Sequence, residues 1–169
     1  CTTRNNCTTR NNCATRNNCA TRNNCTTYDN NNTDLFIEVT HGPALVANNV
    51  LLSQRSLVTT ARGTAYVNNY FGGSVLVSTT TRKTPHAEPH STRLVGLHIN
   101  EPGDDRYLNN IFAGSGPVLV AGWGGVESND LPALPYDMEG NLYLAGAHPP
   151  EVDKEPAVLP DAPVPFRIV

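Results

Sequence analysis

A pair of asparagines, or Gly-Asn, opening a short apolar run recurs along the chain. It stands as Asn48-Asn49-Val50-Leu51-Leu52, Asn68-Asn69-Tyr70-Phe71, Asn109-Asn110-Ile111-Phe112 and Gly140-Asn141-Leu142-Tyr143-Leu144. The interval from Asn49 to Asn69 is one step of about 20 residues, a period that marks stacked repeats. From Asn69 to Asn110 the interval is close to two such steps, and from Asn110 to Asn141 it is a step and a half with an insertion. A step of that length holds three short strands with their turns. Asn suits the corners because it tolerates left-handed backbone angles and can stack amide on amide. The fold this predicts is all-β, a fragment of right-handed parallel β-helix with about 20 residues per coil, preceded by a hexapeptide-repeat segment.

Candidate strands follow from the apolar runs at 35–39, 44–46, 50–52, 57–59, 65–67, 75–77, 94–97 and 118–120. Each is short, aliphatic or β-branched, and bounded by Gly, Pro, Asn or Ser. An antiparallel sandwich would also give many short strands, but with less regular spacing. The segment 78–93, polar and twice broken by proline, reads as an excursion out of the coil.

The N-terminal segment 1–25 obeys a different rule. Cys-Thr-Thr-Arg-Asn-Asn and Cys-Ala-Thr-Arg-Asn-Asn repeat in tandem, and all five cysteines lie here, at Cys1, Cys7, Cys13, Cys19 and Cys25. Two readings stay open, a solenoid of three hexapeptides per turn and a low-complexity stretch that continues the neighbouring rungs only loosely. Fewer than two such turns are present, which favours the second. Uniform Cys-x5-Cys spacing without a nearby His lacks the close pairs of a zinc site, so no metal and no cofactor is expected. An odd cysteine count leaves the pairing unreadable. An ice-binding threonine face is disfavoured, because Thr2 and Thr3 point to opposite sides of a strand. The expected organisation is therefore a repeat at 1–28, coils at 29–148, and an acidic, proline-rich tail or linker at 149–169.

Charge narrows the partners. All 15 acids lie beyond position 28, against 8 of the 12 bases, so the body carries about −7 and offers no broad basic face to nucleic acid. No apolar run approaches the roughly 18 residues of a membrane span, and the N-terminus lacks the order of a signal peptide. Open coil ends would expose strand edges, which predicts self-association unless they are capped.

The densest polar cluster in an apolar setting is Thr33-Asp34-Leu35-Phe36-Ile37-Glu38-Val39-Thr40-His41-Gly42-Pro43. Strand alternation puts Leu35, Ile37 and Val39 on one face, and Phe36 and Glu38 on the other. A carboxylate beside Phe36 in a roofed groove would be partly desolvated, which moves a carboxyl toward general-acid behaviour. His41, at the strand end, can hydrogen-bond a sugar hydroxyl. Against this, an outward Glu on a strand is most often simply solvated.

The segment from Asp34 to Pro43, continued by Leu45-Val46-Ala47-Asn48-Asn49, resembles the β-helical glycoside hydrolases of the β-xylosidase type, glycoside hydrolase family 120 and relatives. Further matches follow in order at Gly63-Thr64-Ala65-Tyr66-Val67-Asn68-Asn69, Pro89-His90-Ser91-Thr92, Gly103-Asp104-Asp105-Arg106-Tyr107-Leu108-Asn109-Asn110-Ile111-Phe112 and Gly140-Asn141-Leu142-Tyr143. They cover the span from about position 29 to 148. The resemblance implies a retaining mechanism on xylan-type oligosaccharides, with Glu38 as acid/base, and an extracellular or periplasmic location. His90 and Asp104 fall in matching motifs that would border the sugar cleft.

The family's nucleophile is an aspartate about one coil earlier. Here that region holds Thr15 and Arg16, and no acid precedes Asp29. Retaining hydrolysis needs two carboxyls about 5 Å apart, so the chain as written is expected to be inactive, and its standing as an enzyme is open. A non-catalytic sugar-binding module and a purely structural solenoid are the alternatives. Asp104 and Asp105 also suit a turn that caps its own backbone, His90 suits an ordinary loop, and Trp123 could stack on a sugar or cap the apolar end.

Overall fold

The computed structural model describes residues 2–5, 8–10, 15–16, 20–28, 30, 33–39, 43–78, 80, 82–87, 93–99, 103–113, 117–118 and 136–163, with backbone only for those among 2–23 and for 87, 117 and 118. His41, His90, Trp123 and every cysteine except Cys25 lie outside the described residues. Cys25 is buried and disulfide-bonded.

Three sheets carry the chain, and all their pairings are parallel. The first stacks Thr2–Asn5, Ala20–Asn23, Ala44–Ala47, Thr64–Val67, Arg106–Leu108 and Asp137–Glu139. The second stacks Thr8–Arg10, Thr26–Tyr28, Val50–Leu51, Tyr70–Phe71, Ile111–Ala113, Leu142–Leu144 and Ala157–Leu159. The third stacks Thr15–Arg16, Leu35–Ile37, Arg55–Thr59, Ser74–Val77 and Pro117–Val118. The chain visits the sheets in turn, which gives an all-β, β-helix-like architecture with no helix among the described residues.

The register resolves the spacings. Leu45 faces Ala65, one plain step on, but Ala65 faces Arg106 and Arg106 faces Asp137 directly. The long interval from Asn69 to Asn110 is therefore a single step carrying an insertion, and two coils do not fit inside it. The insertion is an antiparallel hairpin of Lys83–Ala87 and Leu94–Ile99, so the run at 94–97 belongs to the excursion and not to a coil. Its side chains are exposed, with Leu94 at 66% and Leu97 at 64%. A short apolar run looks the same in sequence whether it faces a core or solvent.

Strands occur in two further segments. The hexapeptide strands join the same three sheets in regular register, Thr2 opposite Ala20 and Thr8 opposite Thr26. Backbone pairing to the next rung accounts for this order without large apolar groups. Within the segment read as a tail, Ala157–Leu159 pairs with Leu142–Leu144, and Asp153 bridges to Met138.

Each Asn-Asn pair divides its labour. The first residue turns the corner: Asn48, Asn68 and Asn109, like Asn24 before Cys25, have φ of 53–55°, the left-handed region that Asn tolerates best among residues with a side chain. In the last pair Gly140 takes this place at φ 65°, where a Cβ would stand 2.5 Å from Asn109 Oδ1. The second residue builds a buried ladder. Nδ2 of Asn49 donates to Asn69 Oδ1 at 2.9 Å, Asn69 to Asn110 at 3.0 Å, and Asn110 to Asn141 at 3.2 Å. The remaining amide hydrogens go to the carbonyls of Ala47, Val46, Tyr66 and Tyr107. Asp153 Oδ2 ends the ladder, accepting from Asn141 Nδ2 at 2.9 Å and from the Tyr143 hydroxyl at 2.6 Å.

Inside the sheets, aromatic rings stack from rung to rung. Tyr66 lies on Tyr107 at 4.6 Å between centroids, Phe71 on Phe112 at 5.1 Å, and Phe112 on Tyr143 at 5.3 Å. All five rings are fully buried, and truncating one to alanine costs about 3–5 kcal/mol in a packed core.

Candidate functional site

The corner where the third sheet passes the chain back to the first gathers the polar chemistry. Glu38 follows Leu35–Ile37 there, Thr60–Gly63 makes the same corner one rung on, and Gly103–Asp105 makes it on the rung after. Strand alternation sets the directions as expected, with Leu35, Ile37 and Val39 buried and Phe36 and Glu38 half-buried on the opposite face.

Glu38 is not alone against an aromatic ring. Arg82, at the start of the excursion, donates from Nη2 to Glu38 Oε1 at 2.9 Å, and the two side chains are 55% and 27% exposed. An ion pair this wet contributes no more than about 1 kcal/mol. Its effect is positional, because it holds the carboxylate against the excursion that rises over this corner. The partners are far apart in the chain, and the only sequence signal for the contact is the basic Arg82-Lys83 step inside a polar stretch.

The hairpin carries two histidines, and His86 lies within electrostatic reach of Arg62 in the same corner. His86 and His98 lie 4.8 Å apart between ring centroids. Local desolvation, then the charges of His98 and Arg62, lower the His86 pKa. Neither histidine stands out in the sequence, where one sits in a polar loop-like stretch and the other beside an apolar run.

Asp104 shares the corner but does not reach Glu38. It is exposed, with φ 52°, and its nearest cation is Arg106 at 3.7 Å. Two rungs of parallel strand separate it from Glu38, about 10 Å at the usual spacing. Its neighbour Asp105 points inward and is fully buried. His41 and His90, the other residues proposed from sequence, lie outside the described residues.

Among the described residues, two places bear on a second carboxylate for Glu38. Asp34 is buried and committed to its own corner, accepting from Ser53 N at 2.8 Å, Ser53 Oγ at 2.6 Å and Asn30 Nδ2. The strand beside Leu35–Ile37 on the N-terminal side is Thr15–Arg16, with Thr15 opposite Leu35 and Arg16 opposite Phe36. Neither residue is acidic.

No protein family matches the chain, and no curated protein does. A solved structure of XylC in complex with xylose resembles it, with a TM-score of 0.66 and 27% sequence identity over 91% of this chain. The chain spans 28% of that chain's length.

Proposed function

We propose that this chain is part of a right-handed parallel β-helix of the glycoside-hydrolase type, built on the plain step that separates Asn49 from Asn69, and that its third-to-first corner binds xylose-type saccharides without cleaving them. Glu38 occupies the position of the acid/base in this reading, with His41, His90 and Asp104 around the sugar. Support comes from the likeness to XylC, whose structure holds xylose, and from the run of motifs from Asp34 onward. One observation carries the catalytic half of the proposal: the strand in register beside Leu35–Phe36 is Thr15–Arg16, which supplies no carboxylate. An acid without its nucleophile leaves a retaining site orders of magnitude slower.

Calorimetry with xylose and xylooligosaccharides tests the binding half. The expected result is millimolar or tighter affinity, weakened about tenfold in Arg82→Ala, since Glu38 then loses the contact that positions it. Absence of heat at tens of millimolar sugar would leave a purely structural solenoid. Steady release of phenol from an aryl β-xyloside by the wild type, lost in Glu38→Gln, would overturn the non-catalytic reading.

A further inference from the structure

Asp105 follows an exposed aspartate in a turn, a place where a carboxylate normally meets water, yet it is fully buried. Its Oδ1 accepts from Thr64 N at 2.7 Å, whereas Oδ2 has no hydrogen-bond partner in the protein. Three tyrosines close over it. Tyr66 and Tyr107 occupy matching places on adjacent rungs, with ring planes 16° apart, and Tyr136 lies 6.2 Å from Tyr107. All three phenols lie within electrostatic reach of Asp105. Their hydroxyl oxygens are buried, and none has a protein partner. The Thr64 hydroxyl is buried and unmatched as well, and the Thr59 and Thr64 hydroxyls approach the Tyr66 phenol without reaching hydrogen-bond geometry with it.

Buried polar groups in folded proteins are almost always paired, and five unmatched ones gathered in one place need a common partner. That partner has to accept from phenol and threonine hydroxyls and also to pair with Oδ2, donating to it when the carboxyl is ionised and accepting from it when the carboxyl is protonated. Water does both and typically makes about three such bonds in an interior site. A divalent cation fits poorly, since one carboxylate oxygen supplies too little charge for ions that take six or more oxygen ligands, and neutral phenols are weak ones. We propose that Thr64, Tyr66, Asp105, Tyr107 and Tyr136 form an internal hydration site that holds at least one long-lived water inside the first sheet, where the chain re-enters the coil after the hairpin. The site is independent of any sugar bound outside.

Water-proton and oxygen-17 relaxation dispersion on the full chain reads this directly. The wild type is expected to show at least one water exchanging more slowly than the molecule tumbles. Tyr66→Phe/Tyr107→Phe is expected to lose dispersion amplitude equivalent to one water or more. Should the double variant not fold, Tyr136→Phe, whose ring is only half-buried, and a water-to-Thr64 amide cross-relaxation signal in the wild type give the same answer. Dispersion unchanged in a folded variant would overturn the proposal. So would crystallographic density with a phenol bonded directly to Asp105 Oδ2, or with a metal ion in the site.

Discussion

Asn69→Ala is expected to lower the stability of the chain by about 3–6 kcal/mol, a large part of what a domain this size usually has. Asn69 Oδ1 accepts from Asn49 N at 3.1 Å and Asn49 Nδ2 at 2.9 Å, and its Nδ2 donates to Val46 O at 2.9 Å and Asn110 Oδ1 at 3.0 Å. Truncation strands two donors and one carbonyl in a buried corner, at about 1–3 kcal/mol each. Urea unfolding with an unchanged m-value measures the loss. Asn69→Asp should fall in between, since a carboxylate keeps both accepted bonds and loses both donated ones. The neighbouring Asn68 serves only the left-handed turn, so Asn68→Gly should be nearly neutral. Equal effects at 68 and 69 would show that the ladder contributes nothing beyond corner geometry.

Asp105 makes stability depend on pH in an uncommon direction. Burial is the largest cause that raises its pKa from 3.8 to about 7, with the Thr64 amide opposing and the Asp104 charge adding a little. The folded state therefore holds a proton that the unfolded state releases. Stability falls as pH rises from about 4, and the loss is complete once pH passes about 7. At about 1.36 kcal/mol per unit the full loss is up to about 4 kcal/mol. Water against Oδ2 would bring the upper edge of that window down. Asp105→Asn keeps an acceptor for Thr64 N without the ionisation, so it should remove this slope and melt higher than wild type above neutral pH. Parallel melting curves for the two proteins between pH 4 and 8 would show that Asp105 is not the group responsible.

The corner chemistry was legible because few residues can do it. A left-handed turn followed by a rung-to-rung amide ladder calls for Asn or Gly and then Asn, and that signature survives in all four pairs. The path between the corners was less legible. The interval from Asn69 to Asn110 is close to twice the one before it, and nothing local separates two coils from one coil with a hairpin. The run at Leu94–Leu97 carries the same residue types as a core strand, and only its pairing with 83–87 and its exposed side chains set it apart.

At the candidate site, period-two alternation was enough to place Glu38 and Phe36 on the outer face. The contact with Arg82 was not readable, because it depends on where a long detour of the chain brings one guanidinium. Asp104 and Asp105 look alike in sequence. Their opposite fates, one in solvent and one among tyrosines, follow from which residue takes the left-handed conformation at the bend.

The amide ladder has a polarity. Every asparagine passes a hydrogen to the rung after it and receives one from the rung before, so a further asparagine corner stacked past Asn141 would have to be met by a donor. Asp153 occupies that place with a carboxylate, which has no hydrogen to pass on. The relay of amide hydrogens therefore stops at Asp153, which takes one hydrogen from Asn141 and one from Tyr143 and hands none on.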